Sequence, residues 1–174
     1  MSHLPSPAST PCVHLVCGAL GAGKSTHAKC ISSANNAVSF ATDEWMQELF
    51  APDQPSPINW PWVLERVLRC ERRIIAVALQ VLRTGGDVVL ELGLMRTSDR
   101  TRVLAAFRDS GYALKVYWIK ASSEVRRSRV AARNVQRGDT HSFDVTPAMF
   151  DAIERLYEPP NSEELRGGIV IDGE

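Results

Sequence analysis

The chain has 174 residues, 44% hydrophobic and 23% charged, the composition of one ordinary globular domain rather than of a disordered segment. Basic and acidic residues number 20 each, so the formal net charge is zero and no overall basic charge holds the chain to nucleic acid. The cysteines Cys12, Cys17, Cys30 and Cys70 lack zinc-type spacing, the longest strongly apolar run (Ile74 to Leu79) is far short of the roughly 20 residues that span a bilayer, and the start is not that of a secretory signal, so a reduced cytoplasmic protein without membrane insertion is expected.

Residues 1–11 carry three prolines among small polar residues and are expected to form a flexible tail, with residues 12–174 as a single domain. Cys12-Val-His-Leu-Val-Cys17 is apolar on both faces and closes on Gly18, the pattern of a buried strand in a parallel sheet. A helix follows from Lys24 to Ala34, a second strand from Ala37 to Ala41, a short helix over residues 43–50, and a proline-rich loop from Ala51 to Asn59. Pro61 suits the first position of a long helix that stops at Thr84-Gly85-Gly86. Asp87 to Leu92 reads as a third strand, Ser98 to Ser110 as a helix ended by Gly111, and Tyr112 to Ile119 as a fourth strand. A basic helix from Ser122 to Arg137, a helix opening at Thr146-Pro147 and a last strand at Gly168 to Asp172 complete the chain. Strands separated by helices require crossover connections, so the class is α/β, three-layered, with a parallel sheet covered on both faces.

Gly18, Ala19, Leu20, Gly21, Ala22, Gly23, Lys24, Ser25 and Thr26 fit the Walker A pattern of glycine, four residues, glycine, lysine and serine or threonine. The glycines let the main chain approach phosphate oxygens, and successive amides form an anion nest at the start of a helix. Lys24 can reach the β- and γ-phosphates, and Ser25 can ligate magnesium through its hydroxyl. The pattern follows a predicted strand and opens a predicted helix, the context that nucleotide-phosphate binding demands.

A phosphoryl-transfer site also needs a group to orient or deprotonate the acceptor, and positive charge for the transition state. Asp43 directly follows the second strand and is a candidate general base, or else a cap for the helix behind it. Glu91, at the end of the third strand, is a candidate magnesium carboxylate of the Walker B kind, or else a structural acid. Arg126, Arg129, Arg133 and Arg137 fall within an arc of roughly 80° on the basic helix, with Arg127 off the stripe. Lys115 to Arg137 sums to +6 and residues 138–174 to −7, so the arginines either meet phosphate or pair with the acidic segment that follows. Trp45, Trp60 and Trp62 cluster between the second strand and the long helix, where they can cover a substrate or fill the core. Arg96 and Arg100 are further candidates for an anionic ligand, and His14 reads as a core histidine with a satisfied hydrogen bond.

Gly18 to Thr26, Thr42-Asp43 after the second strand, and Arg129-Val-Ala-Ala-Arg133-Asn134 in the lid position together resemble the small P-loop kinases of the polynucleotide kinase, zeta toxin and chloramphenicol phosphotransferase group. The resemblance implies a P-loop NTPase fold with a five-stranded parallel sheet of order 2-3-1-4-5 and a small helical lid, about residues 122–145. It further implies Asp43 as base toward a hydroxyl, and Arg129 and Arg133 as lid arginines around the phosphates of ATP; Arg126, on the same stripe, is expected beside the nucleotide, and Ser25 and Glu91 are the expected magnesium ligands. Many members carry an arginine three residues after the aspartate, where this chain has Met46, so the acceptor is expected to differ. The GTPase base-reading motif is absent, leaving adenine nucleotide as the expectation. The leading expectation is therefore an ATP-dependent kinase acting on a hydroxyl of a small molecule, sugar, antibiotic or nucleotide. A regulatory ATPase without an acceptor and a nucleic-acid 5'-hydroxyl kinase are its rivals, the latter disfavoured by the lack of aromatics among the basic residues.

Overall fold

A computed structural model of the chain describes residues 10–136 and 144–173. In chain order its elements are β1 (Cys12–Cys17), α1 (Lys24–Asn35), β2 (Val38–Ala41), α2 (Thr42–Phe50), a 3-10 turn (Ala51–Asp53), α3 (Trp60–Arg83), β3 (Val88–Glu91), α4 (Thr97–Arg108), β4 (Ala113–Lys120), α5 (Ser123–Gln136), α6 (Pro147–Leu156), α7 (Ser162–Arg166) and β5 (Gly168–Asp172). All paired strands are parallel, and their order is β2-β3-β1-β4-β5. This is the α/β P-loop NTPase arrangement and sheet order that the resemblance implies. The tail expected over residues 1–11 falls outside the described residues except for Thr10 and Pro11, whose carbonyl accepts from the Ala113 amide at 3.2 Å. Residues 137–143 of the expected lid, including Arg137, also lie outside them.

Every residue of β1 is buried, because the strand lies at the centre of the sheet with a helix layer on each face. Val13, Leu15 and Cys17 point to one side, into a core closed by Cys70, Ile74, Ala78 and Leu82 of α3 and by Val103, Leu104 and Phe107 of α4. Val16 points to the other side, against Ala28 of α1 and Ile119. The period-two alternation of the strand thus feeds two separate apolar layers. α3 buries residues four apart along one face, and Asn59 caps it by accepting from the Trp62 amide at 3.1 Å. His14 is buried as expected but only half satisfied: Nδ1 lies 3.0 Å from the Tyr117 hydroxyl, while Nε2 stands 3.6 Å from Asp87 without a hydrogen bond. Burial pushes its pKa down, with Asp87 opposing, which favours the neutral ring.

The expectation that Arg100 contacts an anionic ligand is overturned. Its side chain is fully buried: Nε and one terminal nitrogen donate to the Glu164 carboxylate at 2.6 and 3.0 Å. The carbonyls of Met95 and Glu158 and the Thr97 hydroxyl take its other bonds, and Trp118 lies beneath the guanidinium. A guanidinium without water needs this many partners. The partner arrives on α7, a single turn that sequence reading missed and that a capping box between Asn161 and Glu164 fixes. Glu164→Ala strands the buried cation and removes half of the capping box, and is expected to lower unfolding free energy by about 3–5 kcal/mol in urea titrations. A loss below about 1 kcal/mol, the scale of an exposed pair, would show that water reaches Arg100.

Candidate active site

The chain leaves β1 at Cys17 and turns through residues 18–23 before α1 begins at Lys24. Gly21 and Gly23 are required by their backbone angles, and at Gly18 a Cβ would sit 2.6 Å from the Ile119 carbonyl. Gly21 has φ +76°, and a Cβ there would sit 2.6 Å from the Arg126 carbonyl and 3.0 Å from Val130. Gly23 has φ +99° and holds the N-cap position of α1, where no side chain accepts from the first-turn amides. Those amides, with the positive end of the helix behind them, are left for an anion. Lys24 lies across the loop, its ammonium donating to the Ala19 carbonyl at 3.1 Å. Ala19 and Ala22 are buried, so the loop is packed onto the protein beneath it.

Sheet register brings an acidic wall to the same edge. Ala41 at the end of β2 pairs with Glu91 at the end of β3, and β1 runs along the other side of β3. The Ser25 hydroxyl donates to the Glu91 carboxylate at 2.9 Å. Burial pushes the pKa of Glu91 up; Lys24 and the Ser25 hydrogen bond oppose this, while Asp43 and Glu44 add to it. Ser25, Lys24, Asp43, Glu44 and Glu91 therefore share one electrostatic neighbourhood. The capping alternative for Asp43 is removed: α2 starts one residue earlier, at Thr42, its N-cap is Ala41, and no side chain caps it. The Asp43 carboxylate is exposed.

Hydroxyl and carboxylate oxygens suit magnesium, which takes one or two protein oxygens and completes its octahedron with phosphate and water. Among the described residues no group of three or more His, Cys, Asp or Glu side chains could hold a metal. The fitting donor set is Ser25 with Glu91, sufficient only when phosphate oxygens share the ion.

The arginine stripe divides into different roles. Arg126, expected beside the nucleotide, is buried against the phosphate loop with all three guanidinium nitrogens engaged. It donates to the carbonyls of Leu20 (3.3 Å) and Ala121 (3.1 Å) and forks onto the Glu154 carboxylate, with one bond at 2.7 Å. Arg127 pairs with Asp151 at 2.6 Å and lies 4.6 Å from the Phe150 ring centroid. The pairing alternative thus holds for these two. Arg129 remains exposed and donates to the Ala22 carbonyl at 3.4 Å, on the phosphate loop itself. Arg133, one turn further on, has a buried Nε without a partner. Glu154 was missed in the sequence, although the +6 and −7 segments were its signal.

The tryptophans also separate. Trp45 packs edge-on against Phe40 of the core, at 6.4 Å between centroids. Trp60 and Trp62 instead line a cleft between α2 and the start of α3, with Asp43, Met46 and Phe50.

A family model described as an AAA domain (AAA_33) matches residues 13–160, so the chain belongs to that family. No curated protein matches it in sequence. Among solved structures it is similar to a candidate kinase from Chloroflexus aurantiacus, with 19% identity and a TM-score of 0.73 over 94% of this chain and 85% of that one. It is similar to a sugar kinase from Janibacter sp. HTCC2649 at 15% identity and TM-score 0.62, over 95% and 86% of the chains. A chain of the Pnkp1/Rnl/Hen1 RNA repair complex aligns at 18% identity and TM-score 0.66, over 87% of this chain and 45% of that one. At these identities the likeness is one of fold. With the family membership, it supports a nucleotide-dependent kinase or ATPase.

Two expectations follow from the site. Gly21→Ala forces the loop off the Arg126 carbonyl at a strain of about 1–3 kcal/mol, so calorimetric affinity for Mg-ATP falls about tenfold or more while circular dichroism stays native. Because burial raises the Glu91 pKa, this carboxyl takes up a proton more readily than an ordinary one as pH falls, whereas a metal needs the carboxylate. Mg-ATP binding is therefore expected to weaken on acidification toward that raised pKa and to release a proton, read by calorimetry in buffers of different ionisation enthalpy. Glu91→Gln removes the proton release; an unchanged release would place the titrating group elsewhere.

Proposed function

We propose that the protein is an ATP- and magnesium-dependent kinase that transfers the γ-phosphoryl group to a hydroxyl of a small molecule. The observation that carries this reading is the Asp43 carboxylate, free of any capping role, standing between the acidic wall of the phosphate site and a cleft able to hold an acceptor. In the transfer, Asp43 takes the hydroxyl proton, the acceptor oxygen bonds to the γ-phosphorus, and the bond to the β,γ-bridging oxygen breaks with ADP leaving. Lys24 and the loop amides of residues 18–26 bind the phosphates, and Ser25 with Glu91 would hold magnesium, which supplies charge neutralisation when bound. Arg129, already on the loop, and Arg133 supply further positive charge to the moving phosphoryl group. Arg126 acts at one remove, by fixing the loop.

Of the rivals, an acceptor-free regulatory ATPase has no use for a cleft beside Asp43. A nucleic-acid kinase would need a basic track, yet Arg126 and Arg127 are neutralised by Glu154 and Asp151. Four unbridged cysteines accord with a reducing cytoplasm, and no helix among the described residues is long and apolar enough to cross a membrane.

Asp43→Asn is expected to keep Mg-ATP affinity within about twofold while turnover with the acceptor falls about 100- to 10,000-fold, the range for loss of a general base. The check is a screen of hydroxyl compounds for ATP-dependent gain of one phosphate by mass, followed by kinetics of the variant on the best acceptor. Undiminished turnover would exclude Asp43 from the reaction.

A further inference from the structure

Residues two apart on a strand share a face, so β4 presents Leu114, Val116 and Trp118 together on one side of the sheet. α4 covers that side through Leu104 and Arg108, one helical turn apart, and the single turn α7 covers it from the other direction. The two covers do not meet. Between them lies a cavity of about 260 Å³, walled by Leu104, Leu114, Val116 and Trp118 and entered past Arg108 and Glu163. Its cause is local. Gly168 of β5 pairs with Val116, and a Cβ on Gly168 would fall 2.3 Å from the Trp118 indole nitrogen. β5 therefore brings no side chain to this part of the face, and Gly167 before it brings none either. Packed interiors leave few voids larger than a water molecule, and an empty apolar void costs stability as its volume grows.

The charges at the cavity are few and opposed. Glu164 is already spent: its carboxylate accepts from Arg100 at 2.6 and 3.0 Å and from the Asn161 amide at 2.9 Å. Arg108, the last residue of α4, and Glu163 of α7 are exposed at the mouth, and among the described residues neither side chain is joined to an opposite charge. Glu163 is held through its main-chain amide, which donates to the Asn161 side chain at 2.9 Å. A purely anionic ligand would meet Glu163, and a purely cationic one would meet Arg108. A ligand with both charges at one end of an apolar body satisfies the whole lining. The guanidinium fork matches a carboxylate, and an ammonium matches Glu163. We propose that this cavity binds a free α-amino acid with an apolar side chain. The side chain lies among Leu104, Leu114, Val116 and Trp118, the α-carboxylate on Arg108 and the α-ammonium on Glu163. None of these residues belongs to the phosphate loop or to the cleft beside Asp43, so this binding stands apart from the phosphoryl transfer proposed above.

The test titrates the full chain by calorimetry with L-phenylalanine and L-leucine. Three further compounds each lack one feature: 3-phenylpropanoate the ammonium, phenethylamine the carboxylate, and L-serine the apolar body. Saturable binding of phenylalanine or leucine is expected, at least about tenfold tighter than any of the three. The unfolding midpoint should rise as the amino acid is added. Arg108→Ala and Glu163→Ala, both at exposed positions, should each weaken binding about tenfold while circular dichroism stays native. The double exchange Arg108→Glu with Glu163→Arg should recover it, with the amino acid's two charges reversed in place. Binding of 3-phenylpropanoate or phenethylamine as tight as that of phenylalanine overturns the proposal. So does the absence of a saturable response to both amino acids. Affinity unchanged in both alanine variants would put the bound amino acid elsewhere on the chain and overturn it too.

Discussion

The site depends on an ion pair that braces the phosphate loop. Arg126 reaches from α5 beneath the phosphate loop, donates to the Leu20 carbonyl, and is locked by the Glu154 carboxylate from α6. The main-chain carbonyl of the same residue sets the closest approach at Gly21, so one position of α5 fixes the loop both by a hydrogen bond and by contact. Val130, Val145 and Phe150, with Leu20 against them, form an apolar cluster beside the pair, in which Arg126 is buried while Glu154 stays partly open to water. An anion nest made of amides works only while those amides stay convergent, and a glycine-rich segment left alone would lose that convergence to entropy. The rigidity of the loop is thus imported from α5 and α6. The Arg126 hydrogen bond holds Glu154 below the usual carboxylate range, so its contribution is complete above that range and fades only as pH falls through the lowered value.

This arrangement accounts for the zero net charge. The +6 and −7 segments are neighbours in the chain and become neighbours in space, Arg126 with Glu154 and Arg127 with Asp151. Of what looks in sequence like a basic face, Arg126 and Arg127 are consumed internally. Arg129 stays exposed and faces the loop, so positive charge reaches the phosphate position from Lys24 and from a limited part of α5. A binding surface for a long polyanion would require the opposite distribution, with many unpaired cations in a row.

The parts of the fold governed by local rules were legible before the structure. The apolar run ending at Gly18, the helix start at Lys24, and the carboxylates at the ends of the second and third strands follow from strand length and turn chemistry, and register then brings Glu91 and Asp43 to one edge. Side chains whose roles depend on distant partners were not legible. Arg100 reads as a surface residue until Glu164, 64 positions away, is placed over it. Arg126 and Arg129 are three apart on one helix and share a sequence signature, yet one is buried under the loop and the other exposed beside it. The lone turn α7 is too short to carry a periodic pattern. The tryptophans diverge for a related reason: Trp45 lies where α2 meets the core, whereas Trp60 and Trp62 begin a different helix at its open side.

The phosphate loop and the cleft beside Asp43 are built to different standards. Loop, Lys24, Ser25 and Glu91 hang on the ends of central strands that are almost wholly buried, so a displacement there would disturb the main core. The cleft beside Asp43 instead lies between α2 and the entry to α3, next to a surface where Leu49, Trp60, Leu64 and Leu68 remain exposed. Substitutions in that segment change the shape and polarity of the cleft without touching the strands that position Asp43 and Glu91. In the kinase proposed above, chemistry is fixed by the sheet, and choice of acceptor by two helices at its margin. Because Asp43 is the second residue of α2 and also lines the cleft, it is the point at which the two are joined: any shift of α2 that widens the cleft also moves the carboxylate relative to Glu91. In the proposed reaction, acceptor fit and alignment of the Asp43 carboxylate are in this way coupled through a single helix start, so an ill-fitting acceptor is penalised in turnover as well as in binding.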